Sequence, residues 1–336
     1  LPEPRVTVVI PTLAADAALR ECLEGLGRQS RRDFEVIVVD NSGTGLVRAA
    51  CRLPEGVRVI ENERNVGFGA AVNQAYRASR APFLATLNDD AVPAPDWIAA
   101  LLEAVEARPD AGMCASRVVL PDGRLDSAGM LLAGDGSSKQ RGHGEPPEAY
   151  AAAEEVFFPS GSAALYRRAM LEEIGLFDED FFLYCEDTDL GLRARWAGWK
   201  CLYAPRAVVE HRYSHSAGRS SPLKAFYVER NRLFVVWKNF PLRALWRVPL
   251  VAAARYFWHL ALLARGRGAA AEFRREGHSV WRLVRIVFEA HGSLLEARRR
   301  LAIQRRVIRR KARVCPREFR RLMRLYAISP RQVAAL

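Results

Sequence analysis

Cysteine is scarce and unpaired in pattern: the six residues, at 22, 51, 114, 185, 201 and 315, show neither CxxC nor zinc-like spacing. That argues against a disulfide framework or a structural zinc site and suits buried thiols in a reducing compartment. No uncharged apolar run approaches the roughly 18 residues of a membrane span. The chain passes from LPEPR straight into VTVVI, so neither a signal peptide nor a spanning helix is expected. The phosphate-loop pattern GxxxxGK[ST] is missing. NVGFGAAVN, at 65–73, lacks the third glycine of GxGxxG, because position 72 is Val. Kinase-type ATP chemistry and a nicotinamide dinucleotide fold are therefore disfavoured, while a backbone approach to some nucleotide or sugar remains open.

Half of the 336 residues are hydrophobic, enough for a substantial core. Acids are rare in one region only. Residues 241–336 hold 23 Lys/Arg against 5 Asp/Glu, whereas residues 1–240 hold 28 against 33, so a basic tail follows a mildly acidic body. The two regions call for different partners.

VTVVIPT (6–12) and FEVIVVDNSG (34–43) are β-branched runs separated by ADAALRECLEGLGRQS, whose apolar residues recur at helical spacing. Strand, helix and strand at this spacing predict parallel strands joined by a crossover helix. VRVIENE (57–63) reads as a third strand, GAAVNQAYRAS (69–79) as a helix, and PFLATLNDDAVPAPDW as a fourth strand before the helix WIAALLEAVEARP. GMCASRVVLPDG (112–123) is a further strand. The Gly-rich stretch 129–155 is expected as loop or short hairpin and a candidate lid, with His143 an ordinary surface histidine.

Asp40 closes the second strand and Asn88-Asp89-Asp90 the fourth, which puts two acid clusters at the carboxyl ends of parallel strands, where α/β sheets bind ligands. Hard oxygen ligands there suit Mg or Mn bridging a diphosphate, with Asp90 on the metal. Asp89 is equally consistent with a cap or a turn, and Asn88 with a ribose contact or with a strand terminator. In FFLYCEDTDLGLRARW (181–196) a helix is expected to start near Glu186 or Asp187, and capping explains some of its acids, Asp189 among them. The preceding Phe181, Phe182, Leu183 and Tyr184 point to an apolar floor that presents Glu186 and Asp187, one of them acting as a general base. His211, ending a strand-like run, is a candidate metal ligand or a surface histidine, and is better placed than His215.

In their order and spacing these segments resemble the inverting GT-A glycosyltransferases of family 2, particularly the bacterial rhamnosyltransferase-like members, over residues 5–240. VTVVIPT, with Pro11 and Thr12, looks like the opening strand motif, DNSG like the acidic turn that binds the nucleotide through Asp40, and NVGFGAAVN, with Asn65, Gly67 and Asn73, like the segment beneath it. TLNDDAVPAPDW looks like the metal region. It reads Asn88-Asp89-Asp90 where the family pattern is often DxD, so Asp90 matches the last acid. Residues 159–200 resemble the acceptor-side segment. There Asp187, in the Glu186-Asp187 pair, looks like the base and Gly161 like a backbone element beside the donor sugar. His211 looks like a metal-linked histidine.

The resemblance implies an α/β GT-A catalytic domain over 1–220 with a mostly parallel sheet, a basic helical region over 221–336, and Mg or Mn as cofactor. The implied substrates are a dTDP- or UDP-sugar donor, best guessed as rhamnosyl, and a glycan or polyprenyl-linked glycan acceptor. A noncatalytic carbohydrate-binding or assembly subunit is the alternative. The tail suits an anionic membrane surface, with a packed appendage or homo-oligomer contact as second reading and specific nucleic-acid binding disfavoured. The expected location is cytoplasmic, peripheral at the inner face of the bacterial membrane.

Overall fold

The computed structural model describes residues 3–212 and 221–336. His215 lies outside the described residues.

β-branched residues pack well on a pleated surface, and β1 (Val6–Thr12) is buried almost throughout. It pairs in parallel with β2 (Phe34–Asp40), Val6 opposite Phe34 through Thr12 opposite Asp40. The crossover is α1 (Ala17–Gly27), capped by Asp16 accepting from the amides of Ala18 and Leu19. The winding continues through α2 (Leu46–Ala50), β3 (Arg58–Glu61), α3 (Phe68–Ala78) and β4 (Phe83–Leu87), with β3 parallel to β2 and β4 parallel to β1. β5 (Ala91–Pro93) and α4 (Trp97–Glu106) follow.

The second half of the sheet comes from β6 (Ala111–Val119), β7 (Leu125–Ser127), β10 (Glu154–Val156), β11 (Ala163–Arg167) and β12 (Lys200–His211), while β8 (Met130–Leu132) and β9 (Ser138–Gln140) pair as a separate hairpin. The sheet order is β10-β12-β6-β11-β4-β1-β2-β3. β11 is antiparallel to both β4 and β6, and β10 to β12. All the other strands on that path run the same way, the mostly parallel sheet expected. Val6, Val8 and Ile10 share one apolar cluster with Leu19 of α1, Val47 of α2 and Leu101 of α4, while α3 packs across β1 and β2. Helices on both faces explain why these strands read as continuous apolar runs.

The Gly-rich stretch is not an open lid. Its amides are engaged: Leu125 N donates to Glu145 O at 2.9 Å, Gly144 N to Leu125 O at 2.7 Å and Arg141 N to Gly129 O at 2.9 Å. Gly142, at φ +76°, faces Leu125 and Tyr150 so closely that a side chain would not fit. Glycine here serves tight turns between short strands.

The chain divides into two compact units, and the division differs from a single boundary at 220. One comprises Leu1–Met130, Gln140–Phe182 and Trp199–Ser216; the other comprises Leu131–Lys139, Leu183–Gly198 and Ala217–Leu336. α5 (Arg168–Ile174) belongs to the first.

The second unit is helical: α6 (Glu186–Trp196), α7 (Pro222–Asn239), α8 (Val248–Leu263), α9 (Ala269–Arg275), α10 (Val280–Arg310), α11 (Pro316–Leu325) and α12 (Pro330–Ala335). Its reach back into two body segments has a polar cause. Asp189 of α6, fully buried, lies 2.8 Å from Arg193 Nε and 2.9 Å from Lys238 Nζ, and accepts from Asn239 Nδ2 at 2.8 Å. Asp189 is therefore not a cap but the anion that joins α6 to α7. Trp196 stacks on Phe319 at 3.8 Å and donates to Asn239 O. Among the described residues no helix is long and apolar enough to cross a membrane.

Candidate active site

Strand register brings the key groups of the first unit together. β5 runs antiparallel to β12 with Ala91 opposite His211, which sets Asp90 beside that ring: His211 Nε2 is 3.2 Å from Asp90 Oδ1. Asn88 Nδ2 lies 3.4 Å from the same nitrogen. On the other side of the ring, His211 Nδ1 is 3.1 Å from Asp126 Oδ2. Asp126 comes from β7, where the register slips between Val118 and Val119, so that it is the extra residue of a bulge. Bulges re-aim a side chain in this way. His143 Nδ1 approaches the second oxygen of Asp126 at 3.1 Å, so His143 supports this carboxylate and is not a bare surface residue.

Charge follows geometry. Burial alone would raise Asp126, but the hydrogen bonds from His143 and His211 outweigh it and hold the carboxyl at about 2. Burial likewise works against a charged His211, yet its hydrogen bond to Asp126 and the charges of Asp126 and Asp90 lift it to about 10. Asp90 is buried, and neither carboxylate oxygen has a directed hydrogen bond. The 3.2 Å approach of His211 is a charge contact without hydrogen-bond alignment.

A buried carboxylate without donors is costly, and a cation relieves it. The residues present fit a hard divalent ion that takes the place of the His211 Nε2 proton: Asp90 offers oxygen, and His211 offers Nε2 once that proton leaves, with Asp126 holding Nδ1–H, an arrangement common behind metal-bound histidines. Among the described residues no cluster of three or more His, Cys, Asp or Glu groups is arranged to hold a metal ion. Asp126 was not anticipated from sequence; its only signal is an acid inside the short run LDS after a PDG turn. Asp126→Asn is expected to weaken Mn²⁺ binding by about 10–100-fold. Calorimetric titration with a nucleoside diphosphate present checks this, and unchanged affinity would remove the supporting role.

Asp89 accepts from Thr12 Oγ1 at 2.5 Å, and burial, only partly offset by that bond, raises it to about 6. It is neither a cap nor a simple turn residue but a tie between β1 and the Asn88–Asp90 turn. Pro11 is opposite Val39 in the β1–β2 ladder. Asn88 N donates to Ser162 O at 2.8 Å, which aligns the turn containing buried Gly161 with the same segment.

Other expected donor contacts have structural work. Asp40 accepts from Ser42 N and Val47 N, each at 2.9 Å, shaping the loop into α2. Burial opposes its charge, and these bonds still bring its pKa below the ordinary carboxylate value. Asn65 Oδ1 accepts from Gly67 N at 2.8 Å. Gly67, at φ +87°, packs on Phe182, whose carbonyl oxygen would be 2.3 Å from an added Cβ. Asn73 donates to Phe177 O and Glu179 Oε1 at 2.9 Å and accepts from Phe177 N at 3.1 Å. Its amide thus holds the loop around Phe177 and Glu179 against α3.

In the second unit, Glu186 and Asp187 open α6 after a distorted approach. Tyr184 and Cys185 have φ of +68° and +65°, and Phe182 just before them +63°. Bulky residues in this region mark strain at functional sites. Cys185 supplies no side-chain cap, so the acids meet the helix's exposed amides and positive end. Asp187 Oδ1 accepts from Thr188 N at 2.6 Å. Glu186 is buried, its Oε2 without a hydrogen bond. Burial first, and the Asp187 charge second, push it up to about 8.

A doubly covered, mostly parallel sheet with acids and a histidine at strand ends defines the GT-A fold of nucleotide-sugar transferases. The solved structure of GalNAc-T7 with UDP, GalNAc and Mn²⁺ shares it at a TM-score of 0.60 and 16% identity, covering 75% of this chain and 51% of that one. The mannosyltransferase PcManGT from Pyrobaculum calidifontis, in complex with GDP-Man and Mn²⁺, does so at 0.51 and 18%, covering 91% and 85%.

The chain belongs to glycosyl transferase family 2, whose model matches residues 7–175. It is 31% identical over 270 residues to the N-acetylglucosaminyl-diphospho-decaprenol L-rhamnosyltransferase of Mycobacterium tuberculosis (strain CDC 1551 / Oshkosh), covering 72% of this chain and 87% of that protein. It is 27% identical over 240 residues to rhamnosyltransferase WbbL of Escherichia coli (strain K12), covering 66% and 88%. It is a glycosyltransferase.

Proposed function

We propose that this glycosyltransferase moves a rhamnosyl or related hexosyl group, with inversion, from a dTDP- or UDP-sugar to a hydroxyl of a glycan or polyprenyl-linked glycan. The reading rests chiefly on Asp90, a buried carboxylate with both oxygens unsatisfied beside a histidine whose far nitrogen is held by Asp126. The names of the two relatives support the rhamnosyl donor, and that of the mycobacterial protein supports a lipid-diphosphate-linked acceptor.

Asp90 and His211 would hold Mg²⁺ or Mn²⁺. When bound, the ion would neutralise charge on the nucleoside diphosphate leaving group. Asn88 and the Gly161 turn would line the sugar side, and Asp40, each of whose oxygens keeps a second lone pair, would accept from the base or ribose. Asp187 takes the proton of the acceptor hydroxyl as that oxygen bonds to the anomeric carbon. The bond to the diphosphate breaks with its electron pair leaving on the diphosphate oxygen, so configuration inverts without a glycosyl-enzyme intermediate. Burial and then the Asp187 charge raise the pKa of Glu186, so a proton shared by the pair rests more readily on Glu186, and Asp187 is the carboxylate we assign as base.

A panel of dTDP-rhamnose and common UDP-sugars, read by thermal stabilisation with Mn²⁺, tests the donor. We expect the largest shift with dTDP-rhamnose and its loss on adding EDTA. Equal stabilisation with and without the ion would contradict the metal role.

The exposed apolar residues of the second unit support contact with an anionic membrane at the cytoplasmic face. Trp246, Leu250, Phe257 and Leu260 recur near helical spacing, as do Trp281, Val284 and Phe288, with Trp281 80% and Phe288 73% exposed. Arg247 and Arg282 adjoin the two tryptophans, a pattern suited to interfacial binding. Flotation with phosphatidylglycerol vesicles, but not with neutral ones, is expected. Folded protein that floats with neither would remove the membrane, and a self-association contact would take its place.

A further inference from the structure

The approach to α6 adopts a backbone that its own residues disfavour. Tyr184 and Cys185, at φ +68° and +65°, carry a Cβ that crowds the backbone in the left-handed region, and Cys185 gives the helix no side-chain cap. Such a turn persists only when its surroundings hold it. The hydrogen-bond ladder of α6 begins with Cys185 O, which accepts from Asp189 N at 2.9 Å. The carbonyls of Leu183 and Tyr184 lie ahead of that ladder and need donors from elsewhere.

Asn231 of α7 supplies them. Its Nδ2 donates to Leu183 O at 2.8 Å and to Tyr184 O at 2.7 Å, one hydrogen for each. Its Oδ1 accepts from Arg230 Nε at 2.9 Å, which fixes the way round that the amide sits. The residue is fully buried.

Adhesion between the two helices has a different origin. Two turns farther along α7, Lys238 and Asn239 hold Asp189 in the body of α6. Asn231 bonds the turn before the helix instead. Beyond that turn, Asp187 Oδ1 accepts from Thr188 N at 2.6 Å, and Thr188 Oγ1 meets Ser138 Oγ at 2.8 Å. These bonds fix the Asp187 carboxylate relative to the first turn of α6, and Asn231 fixes where that turn begins.

We propose that Asn231 is a positioning residue for the transfer reaction: by bracing the left-handed Tyr184–Cys185 turn, it sets Asp187 where it can take the proton of the acceptor hydroxyl. This rests on the proposed function, in which Asp187 is the base, and Asn231 acts through Asp187. A brace matters at this point because a displacement of about 1 Å in a reacting group can cost about a hundredfold in rate.

The test is a double-mutant cycle in the full chain, read by transfer from dTDP-rhamnose to farnesyl-diphosphate-linked N-acetylglucosamine with Mn²⁺. Asn231→Ala should lower kcat by about 10–100-fold, with KM for both substrates and the dTDP thermal shift retained. In an Asp187→Asn background the same substitution should cost nothing further, because residues that act as one unit are not additive. Hydrogen exchange should quicken at the amides of 184–188 and stay unchanged at 233–239. Asn231→Ser, which keeps one donor in this buried place, is measured alongside and should lose less than Asn231→Ala. Equal losses of kcat in the two backgrounds would mean that Asn231 acts other than through the base. A loss no larger than the unfolded fraction found by urea titration would make it a packing contact alone. Either result overturns the proposal, as does unchanged exchange at 184–188. Near-wild-type transfer by Asp187→Asn alone would bring down the base assignment and this role with it, a failure visible apart from any loosening of the turn.

Discussion

Asp187→Asn is expected to lower turnover by about 10²–10⁴-fold, the scale of lost general-base assistance, while leaving nucleotide binding unchanged. The substitution removes the proton acceptor but keeps a side chain that can still accept from Thr188 N, the bond that Asp187 Oδ1 makes at 2.6 Å. Steady-state transfer with matched donor and acceptor, alongside a dTDP thermal shift, checks both halves. Near-wild-type transfer would sink the base assignment. A lost nucleotide shift would mean the variant is misfolded, which Asp187→Glu, with the carboxylate restored, would distinguish.

Asp189→Ala should act on stability, with an expected loss of about 3–5 kcal/mol out of a typical total of about 5–15. Asp189 is fully buried, and removing it strands the charges of Lys238 and Arg193 that it offsets. A shift in urea midpoint measures it, and an unchanged midpoint would contradict it. The pH dependence has a definite sign. Burial opposes the charge of Asp189, but Lys238 and Arg193 pull its pKa down to about 2, below the ordinary value of about 3.9. Its stabilisation is therefore complete above about pH 4 and is lost as pH falls through about 2. The wild-type and variant midpoints should converge over that interval.

Much of the fold was legible because periodicity carries it. The β-branched runs at 6–12 and 34–40 and the apolar spacing of α1 and α4 specify alternating strands and helices without tertiary information. Asp90 and His211 were legible as ends of such runs, and the start of α6 from its acids. Less legible are the residues whose surroundings depend on long-range neighbours. Asp126 acquires its partner through a bulge, which no local pattern announces. The hydrogen bonds of Asn73 go to the loop around Phe177, distant in sequence. Asp189 looked like a cap because its cationic partner Lys238 follows 49 residues later. Composition changes near 220, whereas the compact helical unit also takes in 131–139 and 183–198, which buried ion pairs tie to α7 and α8.

The metal-bearing nucleotide pocket built on Asp90 is the claim on which the rest depends. Its most direct test is titration of Mn²⁺ into the full chain with dTDP present, followed by electron paramagnetic resonance of the free ion, for wild type and Asp90→Asn. Wild type should take up about one ion per chain, and the variant should lose that uptake while keeping its fold. Equal uptake by both proteins, or none by wild type, would contradict the account.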